Sequence, residues 1–526
     1  MRSEHCSASG AAAVATSDLV AVAETTAAKP TYGQIFKSSA MIGGASMVNI
    51  AIGIIRTKAM ALLLGPAGVG LMGLFQSTVD VALSVISMGI NSSGVRQIAA
   101  SAGSGKQERI ARTSAVLRRM VWVLAVLGAV LMVAFSRQIA SVTFGSDEHA
   151  VAIALLSLAV VFRLFADAEG ALIQGLRRIA DLARMSILGA LAGTAAGIAL
   201  VFWLGEEGIV PAMISVAAAT SASAWWYGRK IKLERPVMTA VQVRREATAL
   251  LRLGVAFMIS GLLVMGTAYA VRAMILHRVG IDAAGLYQAS WTLGSLYVGI
   301  ILQAMGADFY PRLTGIADDN RECNRLVNEQ AKVSLLLAGP GVIATITLAP
   351  LVVTLFYSAE FAEAVDILRW ICLGMALRVV SWPMGFVILA KNAQRFFLAS
   401  EIAWTAVHLS LAWFCVDKFG AAGAGMAFFG SYVFHSLMTY VLVRLLSGFR
   451  WSADNRKVGL IVLLLIAVAF AGFSFLPFWW ATSLGIVALL INVAFTIRAV
   501  TLLFDEATVP PSLRGLIGLL RSHGPA

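Results

Sequence analysis

The chain has 526 residues, of which 59% are hydrophobic and 13% are charged, and its mean hydropathy is +0.83. Soluble domains carry about a quarter of charged residues, so this composition indicates an all-α protein that crosses a membrane many times. The four cysteines lie far apart and form no CxxC pair. We therefore expect no metal site, no disulfide framework and no cofactor.

Residues 1–33 are small and polar, and Asp18 and Glu24 interrupt the apolar core that a cleavable secretion signal needs. We expect a disordered cytoplasmic tail there. Beyond it, apolar runs of about 20 residues separated by glycine, proline and charged clusters predict transmembrane helices. The fourteen predicted spans are 38–64, 69–95, 114–136, 149–173, 183–204, 208–228, 253–279, 284–310, 333–356, 364–390, 396–416, 421–443, 458–478 and 480–500.

The distribution of the 41 Lys and Arg residues over this map predicts the orientation. The tails and the loops after even-numbered helices carry 32 of them, and the opposite side carries 3. Positively charged loops stay in the cytoplasm, so both termini are expected to be cytoplasmic. The net charge of +13 then reflects membrane topology, and nucleic acid is not an expected partner.

Glycine-bounded turns recur on the predicted outer side of the membrane. They begin at Gly65 ("GPAGVG"), Gly205 ("GEEGIV"), Gly280 ("GIDAAG") and Gly420 ("GAAGAG"). The interval from the first turn to the second equals that from the third to the fourth, and the two pairs are related by an offset of 215 in the numbering. An offset of 212 aligns "GLFQ" in helix 2 with "GLYQ" in helix 8, which indicates a slip there.

The repeat predicts two pseudo-symmetric lobes of six helices, similarly oriented in the membrane because six is even. A substrate site is then expected at the lobe interface near mid-membrane. The predicted organisation is a tail (1–33), an N-lobe (34–228), a basic cytoplasmic linker (229–252), a C-lobe (253–446), two appended helices (447–503) and a cytoplasmic tail (504–526). The glycine turns lie between predicted membrane helices, which favours tight helical hairpins over a phosphate-binding loop, since that loop needs a preceding strand.

Polar side chains form stripes along helices 1, 2 and 8, which is typical of the wall of a hydrated cavity. The candidate cavity residues on these stripes are Asn49, Gln76, Asp80, Gln288 and Gln303. Arg56 lies on the helix 1 stripe. Lys58 points roughly the opposite way and lies closer to the outer surface, so we expect it to snorkel.

Charge pairing separates the intramembrane arginines into two groups. Arg163 has Asp167, and Arg369 has Asp366, within one helical turn. Arg56, Arg272 and Arg378 have no acidic residue within four positions. An isolated arginine costs at least a few kcal/mol inside a membrane, which makes a functional site the default hypothesis.

Asp80 is the expected partner of Arg56, because both lie roughly 15 Å from the outer turn at 1.5 Å per helical residue. Two interpretations of an Asp80–Arg56 pair remain. Either the pair separates when Asp80 is protonated or when a substrate phosphate binds Arg56, or it is a static salt bridge that only aids folding. A cavity rich in unpaired arginines favours an anion, and the guanidinium donors suit a pyrophosphate. The predicted binding residues are Arg56, Arg272 and Arg378, with Arg163 either a fourth ligand or a structural partner of Asp167.

Several segments resemble the O-antigen and enterobacterial common antigen translocases, the Wzx-type flippases. They are "ALLLGPAGVGLMGLFQS", "GIDAAGLYQASW" with "FYPRLTGIAD", and "ILAKNAQRFFLASE" with "GAAGAGMAFFGSYV", and the resemblance covers roughly residues 34–446. It implies membership of the multidrug/oligosaccharidyl-lipid/polysaccharide exporter superfamily. It also implies transport of undecaprenyl-pyrophosphate-linked oligosaccharide, such as an O-antigen unit, outward across the bacterial inner membrane.

Other functions remain open beside this one. Fourteen helices also occur in lipid II flippases of the superfamily, and a multidrug exporter would have the same fold but an acidic cavity. A membrane glycan polymerase or ligase would need larger outer loops, so we expect a transporter and not an enzyme. The expected partners are the lipid-linked oligosaccharide, membrane lipids and, in surface polysaccharide assembly, a polysaccharide polymerase and a chain-length regulator. An ion gradient is the expected energy source.

Overall fold

A computed structural model describes residues 32–103, 107–233 and 236–503, which contain α-helices, two short 3₁₀ turns and no β-strand. The predicted N-terminal tail and C-terminal tail lie almost wholly outside these ranges. The helices are α1 (Tyr32–Ile86), α2 (Ile90–Gly103), α3 (Gln107–Ala134), α4 (Ser136–Phe144), α5 (Ala150–Gly175), α6 (Ile179–Leu204), α7 (Ile209–Gly228), α8 (Ala240–Arg278), α9 (Ile281–Gly315), α10 (Asn320–Thr347), α11 (Ala349–Phe356), α12 (Ala364–Ala390), α13 (Gln394–Ser447), α14 (Ala453–Phe475) and α15 (Phe478–Leu503).

Ten helical segments in the described ranges are long and apolar enough to cross a membrane. Three of them, Gly44–Ile86, Ile179–Gly228 and Gln394–Ser447, each cover two of the predicted spans. Helix α9 corresponds to predicted helix 8 but is not among the ten. The protein is therefore a multi-pass membrane protein, and the count of fourteen crossings stays a prediction.

All four predicted glycine turns adopt backbone conformations that favour glycine. Their φ angles are 63°, 61°, 121° and 58° at Gly65, Gly205, Gly280 and Gly420. Residues with a Cβ rarely occupy this region when ψ is extended, as it is at Gly65, where ψ is −170°. The turns reverse the chain between helical segments, and inside α1 and α13 they mark the junction of two helices.

The backbone also repeats at the opposite end of the helices, at positions where the sequences differ. Arg177 and Asn392 are related by the same offset of 215, and each has a φ of 55°. In both turns the backbone N–H of the next residue donates to the carbonyl oxygen five positions earlier in the chain. The bonds run from Arg178 to Ile173 and from Ala393 to Ile388, each at 3.0 Å. The two lobes therefore share local geometry at the offset that the glycine turns predicted.

The lobes touch each other through backbone at the end that carries the glycine turns, which we call the outer end. A Cβ at Gly70 would clash with the carbonyl oxygen of Ile281, and one at Gly285 would clash with the carbonyl oxygen of Pro66. The offset of 215 relates position 66 to 281 and position 70 to 285. The contact is thus reciprocal. Its residues are related by the offset of 215, and not by the offset of 212 that the "GLFQ" and "GLYQ" segments predicted for these two helices.

Each lobe has its own apolar core. The N-lobe core is built from buried residues between Met60 and Leu250. The C-lobe core is built from residues between Val271 and Ala488, and Ala61, Val69 and Leu74 of the N-lobe pack into it. The appended helices α14 and α15 belong to the C-lobe core, to which α14 contributes Val462 and Ile466. They are therefore integrated into the C-lobe by packing.

Part of the predicted basic linker is helical. Thr239 caps α8 with a capping box formed with Gln242, and this helix continues without interruption through predicted helix 7. Leu250 is fully buried in the N-lobe core, and its carbonyl oxygen accepts a hydrogen bond from Ser93 at 2.9 Å. Helix α8 therefore connects the two lobes.

Candidate functional site

A polar cavity of about 540 Å³, here the N-lobe cavity, lies between α1, α5, α6, α7 and α9. It is lined by five of the residues that the sequence singled out. They are Arg56, Gln76, Arg163, Asp167 and Gln288. Predicted positions from both lobes thus converge on one space.

Asp80 lies beside this cavity, and its contacts correct the expected pairing. Its Oδ1 accepts a hydrogen bond from Gln76 at 2.9 Å and pairs with Arg163 at 3.3 Å. Among the described residues Arg56 has no carboxylate oxygen within 4.0 Å. The Asp80–Arg56 pair is wrong for this conformation, because α5 brings Arg163 to Asp80 from outside the helical hairpin.

Arg272 is 7% exposed and lies where the two lobes meet. Its Nε donates to Gln288 at 2.8 Å, its Nη1 donates to the Ala268 carbonyl at 2.9 Å, and its guanidinium lies 5.8 Å from the Tyr287 ring centroid. These partners are all neutral. Since Gln288 also lines the N-lobe cavity, Arg272 marks the boundary between that cavity and the next.

A second cavity of about 360 Å³, here the C-lobe cavity, contains Arg272 and Arg378 in its wall. The Arg378 guanidinium lies 6.0 Å from the Tyr432 ring centroid, and no described carboxylate lies within 4.0 Å of it. Glu401 lines the same cavity. The three arginines predicted to bind pyrophosphate are therefore distributed over two adjoining cavities.

Lys58 is half-buried, and its ammonium extends to the outer end of the C-lobe. Its Nζ donates to the carbonyl oxygen of Thr354 at 2.8 Å and to that of Tyr357, at the C-terminal end of α11. Carbonyls at a helix C-terminus carry partial negative charge and lack intrahelical partners, so they are favourable acceptors for an ammonium. Lys58 therefore ties the N-lobe to the C-lobe at the outer end.

Two other polar residues, Asn49 and Arg369, make contacts that join helices. Asn49 donates to Ser186 at 2.8 Å and joins α1 to α6. Arg369 pairs with Asp366 at 3.2 Å, as the sequence predicted, and its guanidinium lies 3.7 Å from the Phe473 ring centroid. Asn49 lines neither cavity, and neither does Gln303, which is exposed.

Sequence reasoning assigned neither Glu401 nor His408 to a cavity. Both lie on α13 and line the C-lobe cavity, as does Trp404. Glu401 left a signal, since it is an acidic residue in an apolar helix with no basic residue within four positions. His408 left a signal of the same kind, since it is an ionisable residue in an apolar helix. Trp404 left none, because an indole also fits an apolar core.

The arrangement suits an anion that spans the cavity boundary. Four arginines line the two cavities, and of these only Arg163 has a carboxylate within 4.0 Å among the described residues. Guanidinium groups without local counter-charges offer paired N–H donors to phosphate oxygens. In a low-dielectric interior this attraction is stronger than in water.

Sequence comparison identifies a family. Residues 59–366 match the family model described as "Polysaccharide biosynthesis protein". The chain is also similar to the lipid III flippases of Escherichia coli (strain K12) and Shigella flexneri, each 22% identical over 409 residues, which are 76% of this chain and 95% of the relative.

Structural comparison gives the fold. An inward-facing multidrug resistance transporter of the MATE family and MOP superfamily is similar with a TM-score of 0.62 at 16% identity, covering 77% of this chain and 96% of that one. The lipid II flippase MurJ is similar with a TM-score of 0.60 at 14% identity, covering 87% and 99%. These similarities are to transporters rather than enzymes. Because the family model matches more than half of the chain, the protein belongs to the polysaccharide biosynthesis protein family, with the fold of the multidrug/oligosaccharidyl-lipid/polysaccharide exporter superfamily.

Proposed function

We propose that this protein moves polyprenyl-diphosphate-linked oligosaccharide from the cytoplasmic to the periplasmic leaflet of the bacterial inner membrane. The similarity to lipid III flippases over 76% of the chain supports a lipid-linked glycan as the substrate class. The O-antigen repeat unit is one such glycan. A polysaccharide polymerase and a chain-length regulator are the proposed partners that use the product.

One observation carries the proposal: Arg272 is buried at the lobe boundary, its hydrogen bonds go to neutral groups, and the Asp80 carboxylate, which attracts it, lies beyond 4.0 Å. Arg56 on one side and Arg378 on the other are equally without a carboxylate within 4.0 Å among the described residues. A diphosphate supplies two adjacent anionic groups, and its oxygens accept the guanidinium N–H donors. The same charges disfavour the organic cations that a multidrug exporter handles.

Transport follows from alternating access of this site to the two membrane faces. The lobes are joined at the outer end by the Gly70–Gly285 contact and by Lys58. Opening of the outer end requires these contacts to separate while the lobes close elsewhere. With both termini cytoplasmic, the outer end faces the periplasm, and an ion gradient coupled through Asp80 supplies the directionality.

The test compares two arginines on α8. Arg272→Gln removes the charge at the cavity boundary, whereas Arg278→Gln removes a charge at the end of the helix, where its partner is the exposed Asp417. Exposed ion pairs contribute about 0–1 kcal/mol, so the control variant should remain folded and active. Surface glycan is scored in a strain that lacks the gene, with membrane abundance measured in parallel.

We expect Arg272→Gln to abolish glycan export at normal abundance, and Arg272→Lys to restore part of it, because lysine keeps the charge but loses the forked donors. Arg278→Gln should export normally. Full export by a variant with Gln at 56, 272 and 378 together would refute the proposal.

A further inference from the structure

The two cavities differ in chemistry. Each cavity wall carries three charged side chains, which are Arg56, Arg163 and Asp167 in the N-lobe cavity and Arg272, Arg378 and Glu401 in the C-lobe cavity. Among its described lining residues the N-lobe cavity has in addition the amides Gln76 and Gln288 and a single ring, that of Tyr357. The wall of the C-lobe cavity, by contrast, carries ten aromatic or imidazole rings. These rings contact one another, with centroids 5.1 Å apart for Trp291 and Phe428 and 5.8 Å apart for Trp404 and Tyr432. The C-lobe cavity is therefore an aromatic chamber, whereas the N-lobe cavity is lined by amide and aliphatic side chains beside its charged groups.

Of the fifteen buried side-chain nitrogen and oxygen atoms without a hydrogen-bond partner among the described residues, five lie in the wall of the aromatic chamber. They are Trp404 Nε1, both ring nitrogens of His408, His435 Nδ1 and Thr439 Oγ1. His408 is 3% exposed and Thr439 is 1% exposed. Residues 404 and 408, like 435 and 439, are one helical turn apart, so each pair lies on one face of α13. Buried donors and acceptors are almost always paired in folded proteins, and these five atoms share one cavity, where a single polar ligand can pair with them.

We infer that the C-lobe cavity is a saccharide subsite, which receives the first sugar of the lipid-linked substrate while its diphosphate contacts Arg272; this inference rests on the proposed function. A sugar ring has C–H faces, which pack on aromatic faces that carry partial negative charge. It also has hydroxyl groups, which both donate and accept hydrogen bonds. Indole N–H, imidazole and threonine hydroxyl groups match these hydroxyls.

The position of Arg272 supports this assignment. Arg272 lines the C-lobe cavity and binds Gln288, which lines the N-lobe cavity. The first sugar is covalently attached to the diphosphate, so a diphosphate held at this boundary places that sugar in the aromatic chamber. A volume of about 360 Å³ lies within the range of about 300–1,000 Å³ that small-molecule sites occupy.

Other occupants fit less well. A polyprenyl tail would leave the five orphan polar atoms of the chamber unpaired. An organic cation would find aromatic faces and Glu401, but also the guanidinium groups of Arg272 and Arg378. A sugar satisfies the rings and the polar atoms together.

The experiment measures a binding preference. Native mass spectrometry of the full-length protein gives its affinity for two probes, the polyprenyl-diphosphate-linked saccharides extracted from a strain that lacks the gene, and undecaprenyl diphosphate without a sugar. We expect the native protein to prefer the saccharide-bearing lipid by at least about tenfold, which corresponds to about 1.4 kcal/mol. Trp404→Leu should remove most of this preference without changing the affinity for undecaprenyl diphosphate. Trp413→Leu, on the same helix but exposed and outside the cavity, is the matched control and should keep it.

Thr439→Val keeps the shape of the side chain and removes only the orphan hydroxyl. If that hydroxyl serves packing alone, its loss is neutral or stabilising and the preference is unchanged. If it binds sugar, the preference falls several-fold while the melting temperature stays the same or rises.

An unchanged preference in both Trp404→Leu and Thr439→Val would overturn the saccharide subsite, as would equal affinity of the native protein for the two lipids. Arg272→Gln should lower the affinity of the protein for both lipids by the same factor, because it removes a contact to the diphosphate that both lipids carry. Failure of the native protein to bind either lipid would overturn the proposed function itself, and the subsite with it.

Discussion

The reciprocal glycine contact at the outer end leads to a quantitative prediction for Gly285→Ala. A Cβ at this position would lie 2.7 Å from the carbonyl carbon of Pro66 and 3.0 Å from the backbone nitrogen of Gly70. Non-bonded carbons prefer about 3.5–4.0 Å, so the two segments have to separate by about 1 Å. The obstructing atoms are backbone and cannot rotate away.

Overpacking of this kind costs about 1–3 kcal/mol, and here it falls only on the state in which the outer end is closed. A cost of about 2 kcal/mol lowers the ratio of closed to open molecules by about thirtyfold. The matched control is Gly299→Ala on the same helix, where an added Cβ has no neighbour within 4 Å. Both variants replace glycine by alanine within α9 and therefore raise its helix propensity equally. They differ only in the backbone contact at Gly285.

The assay measures the labelling rate of a cysteine at Met72, which lines the N-lobe cavity, in a protein whose four native cysteines are replaced by serine. A membrane-impermeant maleimide is added from the periplasmic side of intact cells. Gly285→Ala should increase the rate by up to about thirtyfold, as the population estimate requires, and Gly299→Ala should leave it unchanged. Equal rates in Gly285→Ala and the parent would refute the reasoning that this contact closes the outer end.

Three further predictions concern charged residues. Asp80→Asn removes the partner of Arg163 and should weaken the dependence of export on the proton gradient, measured with an ionophore titration; unchanged dependence in an active variant excludes Asp80 from coupling. Lys58→Gln removes the charge at the end of α11 and should raise maleimide labelling about fivefold, from a helix-terminus interaction of about 1 kcal/mol, without changing lipid affinity; reduced lipid affinity would contradict its assignment to the lobe contact. Arg369→Gln removes a buried guanidinium that joins α10, α12 and α14 and should lower stability by about 1–3 kcal/mol, seen as a lower melting temperature in detergent; loss of export at an unchanged melting temperature would point to a functional role.

The sequence predicted best those features that depend on the local backbone. The turns at Gly65 and Gly420 were recognisable because their conformation restricts the residue type. Arg369 and Asp366 could be paired because they are one helical turn apart.

Contacts between helices were harder to predict, since they depend on crossing angles that the sequence does not state. Asp80 was matched to Arg56 by depth in the membrane, but α5 brings Arg163 closer to it. Lys58 pointed away from the cavity as expected, yet its carbonyl partners lie 296 and 299 positions later in the chain. The separation of Arg56 and Arg378 into different cavities likewise follows from lobe packing.

The outer contact has the geometry of a two-fold dimer interface within one polypeptide. Pro66 faces Gly285 as Ile281 faces Gly70, which is the i-to-j and j-to-i pattern of an isologous interface. A tandem gene duplication that fuses two copies of a homodimeric six-helix ancestor inherits such a pattern without having to evolve it. Fusion would also free the two halves to diverge, so that one cavity gains aromatic rings and the other amide side chains while the contact between the halves stays reciprocal.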